Sequence, residues 1–261
     1  MFEEEPFIRA IVDHPGDDLP RLVYADWLDE RDDRRATYLR AEIAWAEGRR
    51  ASVWAPPTAE EQDSGVAPAL QSLTLGLDAV WIARVSRPPM GVCCDHLVFK
   101  DSGPRIETSD LDLFERQIGF ALPHDYRGFL LNTNGGTPSP GCYVWTEPDA
   151  TYRDYWPISH FNSLFPDSSP PGRNLLRDAY RAWGVGIEEL RGYIEIGLDV
   201  ADWLIMLKLT VPHSGRVMGL GVVMLDTIDP IARALPFLLD SIRDHPYSNG
   251  FSHNSGNESN P

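Results

Sequence analysis

Apolar side chains recur at helical spacing through residues 4–47, and this pattern predicts three short helices. Pro6 can open the first helix, which Pro15-Gly16 ends, and Asp18 can act as the N-cap of the second. The third helix follows Asp32-Asp33. The apolar faces are Phe7, Ile8, Ile11 and Val12; Leu22, Val23, Trp27 and Leu28; and Tyr38, Leu39, Ile43 and Trp45. An isolated set this small would be marginally stable, so these faces must bury on each other or on the rest of the chain.

Residues 51–68 carry no periodic pattern and contain several breakers, so they are expected to form a mobile linker. A further helix is predicted from Ala69 to Val85, and Arg87-Pro88-Pro89 stops it. A domain boundary is expected near residues 87–105.

The clearest single element is a helix running from Leu122 to Thr133. Pro123 suits the first turn of a helix, and Tyr126, Phe129 and Leu130 form one apolar face. Asn134-Gly135-Gly136 supplies residues that tolerate the positive φ of a helix C-cap. This helix has a defined start and stop, and none of its groups suggests chemistry.

Around this helix the pattern alternates between helices and strands. Ser109 and Asp112 approximate a capping box for a preceding helix that Gly119 ends. A last helix is predicted over Pro230 to Arg243. Strands are predicted over residues 141–146, 155–161, 193–196, 202–210 and 217–225, with a hairpin-type turn at His213-Ser214-Gly215.

The predicted fold class is α+β, in which a small helical module precedes a domain with a mainly antiparallel sheet flanked by helices. The predicted divisions are a helical module at residues 1–50, the linker at 51–68, and a helix with a connecting segment at 69–105. The sheet domain then covers 106–246, and a polar tail at 247–261 is expected to be disordered.

The net charge of −16 argues against nucleic acid and anionic membrane surfaces as partners. It would speed the encounter with a basic protein, although acidity can also serve solubility alone. No signal peptide or membrane-spanning run is recognised, and only three cysteines are present. A cytoplasmic location is therefore expected.

Two clusters could suggest a metal site. The acidic set at Asp26, Asp29, Glu30, Asp32 and Asp33 lacks the spacing of a calcium loop and is typical of a solvated helix end. The cluster Cys93-Cys94-Asp95-His96 lacks zinc spacing, and adjacent cysteines on an extended segment point to opposite faces. We expect these cysteines to be buried apolar residues, and no metal or other cofactor is expected.

Catalytic patterns are also missing from the sequence, since no nucleophile elbow or Cys–His arrangement occurs. The lone histidines His124, His160 and His213 lie at predicted helix starts, strands and turns. The sequence therefore predicts a protein that is not an enzyme.

Aromatic residues supply the best indications of a binding surface. Trp145, Tyr152, Tyr155 and Trp156 lie on or beside predicted strands, where they could anchor a partner or complete the core. Acidic residues that could face a basic partner are Asp125, Asp149, Asp154, Asp199 and Asp202.

Residues 109–243 resemble the SUKH superfamily, which includes fungal cell-wall-assembly regulators and bacterial immunity proteins. The resemblance rests on Phe114-Glu115, on Leu122-Pro123 with Tyr126, and on Asn134-Gly135-Gly136-Thr137-Pro138. Ile194 to Asp199 followed by Trp203-Leu204-Ile205 is similar to a later step of the family pattern, although Ala201 stands where many members have Gly. The resemblance implies recognition of another protein.

The N-terminal segment resembles a second family, the bacterial repeat-companion domain. The matching stretches are residues 6–11 and residues 20–33, in which Asp26 and Trp27 belong to the motif. That resemblance allows Asp26 to be a buried structural carboxylate. It names a module whose own activity is unassigned.

The sequence thus predicts a protein-binding module, and the resemblance favours an immunity-type protein that neutralises a toxin domain. The acidic balance of the chain would suit a basic toxin domain. A regulatory adaptor of the cell-wall-assembly-regulator type is one alternative. A small-molecule-binding module with a pocket lined by Trp145 and Trp156 is another.

Overall fold

The computed structural model describes residues 3–50, 68–87, 90–145, 154–165, 192–201, 203–210, 215–221 and 228–232, with the single residues 235, 238, 239 and 242. The predicted linker at 51–68, apart from its last residue, and the tail at 247–261 lie outside the described residues. The helices are α1 Glu5–Asp13, α2 Leu19–Asp29, α3 Arg35–Arg50, α4 Pro68–Thr74, α5 Ala79–Val85, α6 Thr108–Ile118 and α7 His124–Asn132. The strands are β1 Val98–Lys100, β2 Thr137–Ser139, β3 Cys142–Trp145, β4 Asp154–Phe161, β5 Tyr193–Asp199, β6 Trp203–Lys208, β7 Val217–Gly221 and β8 Ile228–Ala232.

The three N-terminal helices form where the apolar spacing predicted them, and they share one core with α4 and α5. Tyr24 and Leu28 of α2, Leu39 of α3, Leu70 of α4 and Trp81 of α5 all lie in this core. The N-terminal helices therefore bury their apolar faces partly on the segment that follows the linker.

Two local details differ from the sequence prediction. The backbone N–H of Leu19 bonds to Asp17 Oδ1 at 2.9 Å, while Asp18 makes no side-chain cap bond. The helix predicted over Ala69 to Val85 is two helices, because Asp78 starts a new one by accepting from the Trp81 N–H at 2.7 Å. At α2 the capping carboxylate lies one position before the predicted N-cap. At α5 it lies inside the helix that was predicted as continuous.

A six-stranded antiparallel sheet in the order β3-β4-β5-β6-β7-β8 forms the second half, and β1 pairs with β2 in a separate two-stranded sheet. The α+β prediction is confirmed. Residues 230–232, which were predicted as the start of the last helix, instead belong to the edge strand β8, Ile228–Ala232. Pro230 is tolerated there because a strand at a sheet edge need not donate on its outer side.

Helices α6 and α7 pack on the sheet around a second apolar core. Phe114 of α6 and Phe129 of α7 meet Phe161 of β4 and Ile205 of β6 in this core. The capping box of α6 is formed by Glu107 and Asp110, two residues earlier than the predicted pair. Pro123 is the N-cap of α7.

The segment before β1 contributes to both cores. Cys93 packs with the N-terminal helices, whereas its neighbours Val92 and Cys94 pack in the sheet domain. Adjacent side chains of this extended segment thus point to opposite sides, as predicted, and all three cysteines are buried.

Candidate functional site

The Asn134-Gly135-Gly136 turn after α7 joins three parts of the sheet domain. Asn134 is buried, and its Nδ2 donates to the carbonyls of Pro104 at 2.6 Å and Leu164 at 2.9 Å. Its Oδ1 accepts from the Leu164 N–H at 2.8 Å. One amide side chain therefore holds the segment before α6 and the end of β4 against the helix terminus.

The two glycines of this turn have backbone φ values of +74° and +107°, which residues other than glycine rarely adopt. A Cβ on Gly135 would lie 2.5 Å from the carbonyl oxygen of Asn162, and one on Gly136 would lie 2.7 Å from that of Lys100. The motif predicted as a helix cap is thus also a point of close backbone packing, and its role is structural.

The N-terminal helices are joined to the sheet domain through α5, which packs against α7. Gly128 of α7 lies so close to α5 that an added Cβ would sit 2.7 Å from Ala83 Cβ. Arg84 donates to both carboxylate oxygens of Glu5 on α1, at 2.9 and 3.0 Å, and to Asn132 Oδ1 on α7 at 3.2 Å. This arginine therefore connects α1 with α7 directly.

A second group of buried polar side chains lies inside the N-terminal core. The Arg21 guanidinium is buried and donates to the carbonyls of Pro15 at 2.9 Å and Val85 at 3.2 Å. Glu42 accepts from the Arg87 N–H at 2.8 Å, and burial raises the pKa of its carboxyl to about 7. These groups join α2 and α3 to the segment after α5, so we assign them to the fold.

The β5–β6 turn carries apolar side chains that no prediction singled out as a site. Asp199 Oδ1 accepts from the N–H groups of Ala201 at 2.8 Å and Trp203 at 2.9 Å, which closes the turn. Val200 at its tip is 62% exposed. Trp203 and Trp156 are both half-buried, with ring centroids 5.9 Å apart. We call Trp156, Val200 and Trp203 the turn patch.

The structure places the seven predicted partner-binding residues in different environments. Tyr152 and Asp202 lie outside the described residues, and the structure describes Trp145 and Tyr155 in backbone only, on β3 and β4. Asp199 is 1% exposed, so its carboxylate holds the turn and does not form part of an exposed acidic rim. Trp156 is brought to the surface beside Trp203.

Asp125 lies half-buried in the first turn of α7, where burial raises the pKa of its carboxyl to about 6. Trp203 and Val200 were missed as site residues. The sequence signal that could have found them is Asp199-Val200-Ala201-Asp202-Trp203. In it, a valine lies between two aspartates at a turn, and a tryptophan follows the second aspartate.

Asp26 of the N-terminal motif is exposed on α2, whereas Trp27 packs partly against the N-terminal core. The Asp26 carboxylate accepts from Arg40 Nη2 at 2.6 Å, so the prediction of a solvated helix end is confirmed for it, and the alternative of a buried structural carboxylate is wrong. Trp27 is half-buried, and the Arg31 guanidinium lies 3.8 Å from its ring centroid.

A cleft of about 720 Å³ separates the α1–α2 loop from the sheet domain, lined among others by Asp17, Asp95, Phe99 and Arg105. Trp156 does not line it, so the predicted tryptophan pocket is not this cleft. Among the described residues no cluster of His, Cys, Asp or Glu could hold a metal ion. Within the same part of the chain, no helix is long and apolar enough to cross a membrane.

Two helices on an antiparallel sheet, with a buried Asn-Gly-Gly turn beside them, form an α+β domain. Residues 105–218, in the C-terminal half, match the SMI1 / KNR4 family (SUKH-1). The predicted resemblance is confirmed for this half. No curated protein matches the chain.

The family match begins after the N-terminal helices, and the resemblance of residues 6–33 to the repeat-companion domain stays a prediction. A SUKH-1 domain supports a protein-binding or immunity module as the function of this half.

Proposed function

We propose that this chain is an immunity-type protein whose sheet domain binds and neutralises a toxin domain, without catalysing a reaction. The observation that carries the proposal is the SUKH-1 match over residues 105–218. The buried polar groups of that domain support the non-catalytic part, because Asn134 and Asp199 use their oxygens to hold backbone segments.

The turn patch is the surface that we assign to the toxin. An exposed valine beside two half-buried tryptophans offers apolar contact area at the end of a sheet. Tryptophans of this kind supply much of the binding energy at protein interfaces. The Asp199 bonds hold the turn in place, so little ordering would be needed on binding.

The charge of the chain favours a basic toxin. A net charge of −16 attracts a positively charged domain over a distance of about 10 Å at moderate salt. This attraction mainly raises the association rate, while the turn patch would limit dissociation. The chain has only three cysteines, which is in keeping with a reducing compartment, and we propose a cytoplasmic location.

Affinity capture from the native cell with the full chain, followed by mass spectrometry, tests the proposal. We expect one stoichiometric partner whose toxicity is suppressed when this chain is co-expressed with it. Several weak partners without toxicity would instead favour the regulatory adaptor. A stoichiometric partner that stays toxic in the complex would contradict neutralisation.

The surface assignment has a matched pair of variants. Val200→Asp places a charge in the turn patch, whereas Leu113→Asp changes an exposed leucine on α6. We expect Val200→Asp to weaken capture about ten-fold or more and Leu113→Asp to leave it unchanged. Equal affinities of the two variants would place the toxin elsewhere on the domain.

A further inference from the structure

The N-terminal helices expose apolar side chains on the side that faces away from their core. Leu19 is 62% exposed and Val23 is 47% exposed, one helical turn apart on α2. Together with Pro6, Phe7 and Ala10 of α1 they line a groove of about 520 Å³. We call these five residues the helix groove. A continuous apolar groove on a surface is typical of a binding site, whereas single exposed leucines are not.

The base of the helix groove is held rigidly. The Phe7 ring stacks on Tyr24 at a centroid distance of 5.5 Å and contacts Trp27 at 5.3 Å. The Tyr24 hydroxyl donates a hydrogen bond to the Glu4 carboxylate. The Arg35 guanidinium also donates to both carboxylate oxygens of Glu4, at 2.8 and 2.9 Å. Because α1 and α2 are tied at this end and joined by a short loop at the other, the groove exists before any partner arrives.

The charges around the helix groove are mainly acidic. His14 and Asp17 lie at the loop end, while Glu3 lies exposed at the opposite end, where α1 begins. Of the nearby arginines, Arg9 pairs with Glu5 at 3.6 Å, and Arg31 lies on the Trp27 ring and pairs with the exposed Glu30 at 3.7 Å. A partner that fills the groove therefore meets negative charge at both ends.

The helix groove lies between two nearly antiparallel helices, and its shape suits a third helix laid along it. We propose that the helix groove docks an amphipathic helix of a partner protein, with leucine-type anchors at i, i+3, i+4 and i+7 and lysine or arginine flanking them. A second copy of this chain is disfavoured, because it would bring the same acidic ends to the groove. The site is separate from the turn patch and does not depend on the proposed toxin.

A direct test uses the full chain and a fluorescent helical peptide of about 18 residues with that leucine spacing and lysines at the remaining exposed positions. A second peptide keeps the leucines and replaces every lysine by glutamate. We expect the lysine peptide to bind with a change in anisotropy and the glutamate peptide to bind at least ten-fold more weakly. Absence of binding by the lysine peptide, or equal binding of both peptides, would overturn the proposal.

Variants locate the binding on the protein. Val23→Asp changes the helix groove, and Leu75→Asp changes another exposed apolar residue, between α4 and α5, as a matched control. We expect Val23→Asp to weaken the lysine peptide about ten-fold or more while Leu75→Asp leaves its affinity unchanged. Equal losses in the two variants would show that the peptide binds by general charge, and would refute the site.

A charge reversal completes the test. The double variant Glu3→Lys, Glu30→Lys should weaken the lysine peptide and strengthen the glutamate peptide, because it inverts the charge at the open end of the groove. Both substitutions are at exposed positions, so the fold is expected to persist and circular dichroism checks it. Unchanged selectivity between the two peptides would contradict the proposal that the partner helix is basic.

Discussion

The two halves of this chain both have an apolar core, but they differ in the polar side chains buried beside it. The sheet domain encloses an apolar core, in which Phe114, Phe129 and Phe161 meet. The N-terminal core instead encloses Arg21 and Glu42 beside its aromatic residues. A small helical module has little apolar surface to bury, and here it is completed by α5 and by hydrogen bonds to backbone carbonyls. The comparison teaches that both halves rest on apolar packing, and that the N-terminal module adds a buried arginine and glutamate that bind the segment following it.

The largest loss of stability is expected at the Asn-Gly-Gly turn. Gly135→Ala should lower the free energy of unfolding by about 3 kcal/mol or more, because the methyl group meets the Asn162 carbonyl oxygen at a positive φ. Gly119→Ala is the control, since Gly119 has a similar φ and no neighbour within 4 Å of its Cβ position. It should cost only about 1–2 kcal/mol in chemical denaturation. Equal losses would mean that φ alone matters and that the turn is not closely packed.

The next largest effect tests the polar core of the N-terminal module. Arg21→Met should destabilise by about 3 kcal/mol, since the Pro15 and Val85 carbonyls lose a buried charged donor. Arg40→Met, which removes an exposed arginine paired with Asp26 and Asp29, should cost no more than about 1 kcal/mol.

Hydrogen exchange of the Arg21→Met variant shows how far the two halves are independent. Loss of protection in α1–α3, with the amides of β5 and β6 still protected, would sharpen the comparison. Equal loss in both halves would contradict it and show one cooperative unit.

A smaller effect is expected where the two halves meet. Gly128→Ala should cost about 1–2 kcal/mol, because the new methyl group overlaps Ala83 while helix propensity improves slightly. The double variant Ala83→Gly, Gly128→Ala removes the overlapping partner and should be more stable than the sum of the single effects predicts. Simple additivity, measured by thermal denaturation of the four proteins, would mean that α5 and α7 adjust without strain.

The last prediction concerns the pH dependence of stability, which we trace to Glu42. Burial raises the pKa of this carboxyl to about 7 from an ordinary value of 4.5, so folding favours its protonated form. Its contribution to stability is therefore full below about pH 4.5 and is lost as the pH rises toward 7. Glu42→Gln should flatten this part of the stability profile, measured by denaturation at several pH values. Glu47→Gln, at an exposed position of the same helix, should leave the slope as it is; an unchanged slope in both variants would exclude Glu42 as its source.

Elements that local rules specify were predictable from the sequence. Helix α7 carries its own start, apolar face and cap within residues 122–136, and each of these signals acts between neighbours in the chain. The opposite directions of Cys93 and Cys94 followed from the alternation of an extended segment. The acidic balance and the SUKH resemblance were likewise properties of the sequence alone.

Other features depend on residues that are distant in the chain. Strands β1 and β2 are three residues each and contain or adjoin breakers, so only their mutual pairing makes them strands. Burial of Arg21 depends on carbonyls up to 64 positions away, which no local pattern reveals. The sequence predicted Asp199 as a surface charge. In the structure it is buried, and its carboxylate accepts hydrogen bonds from two N–H groups of its own turn.

The sequence by itself determined the helical module, the α7 unit, the fold class and the family of the C-terminal half, because these rest on short-range patterns and motifs. Only the tertiary structure decided which exposed residues lie together. Trp156 and Trp203 meet through the pairing of β4, β5 and β6, and Phe7 joins Val23 through the packing of α1 on α2. A surface is made of contacts between separate elements, and the spacing of residues along the chain does not encode those contacts.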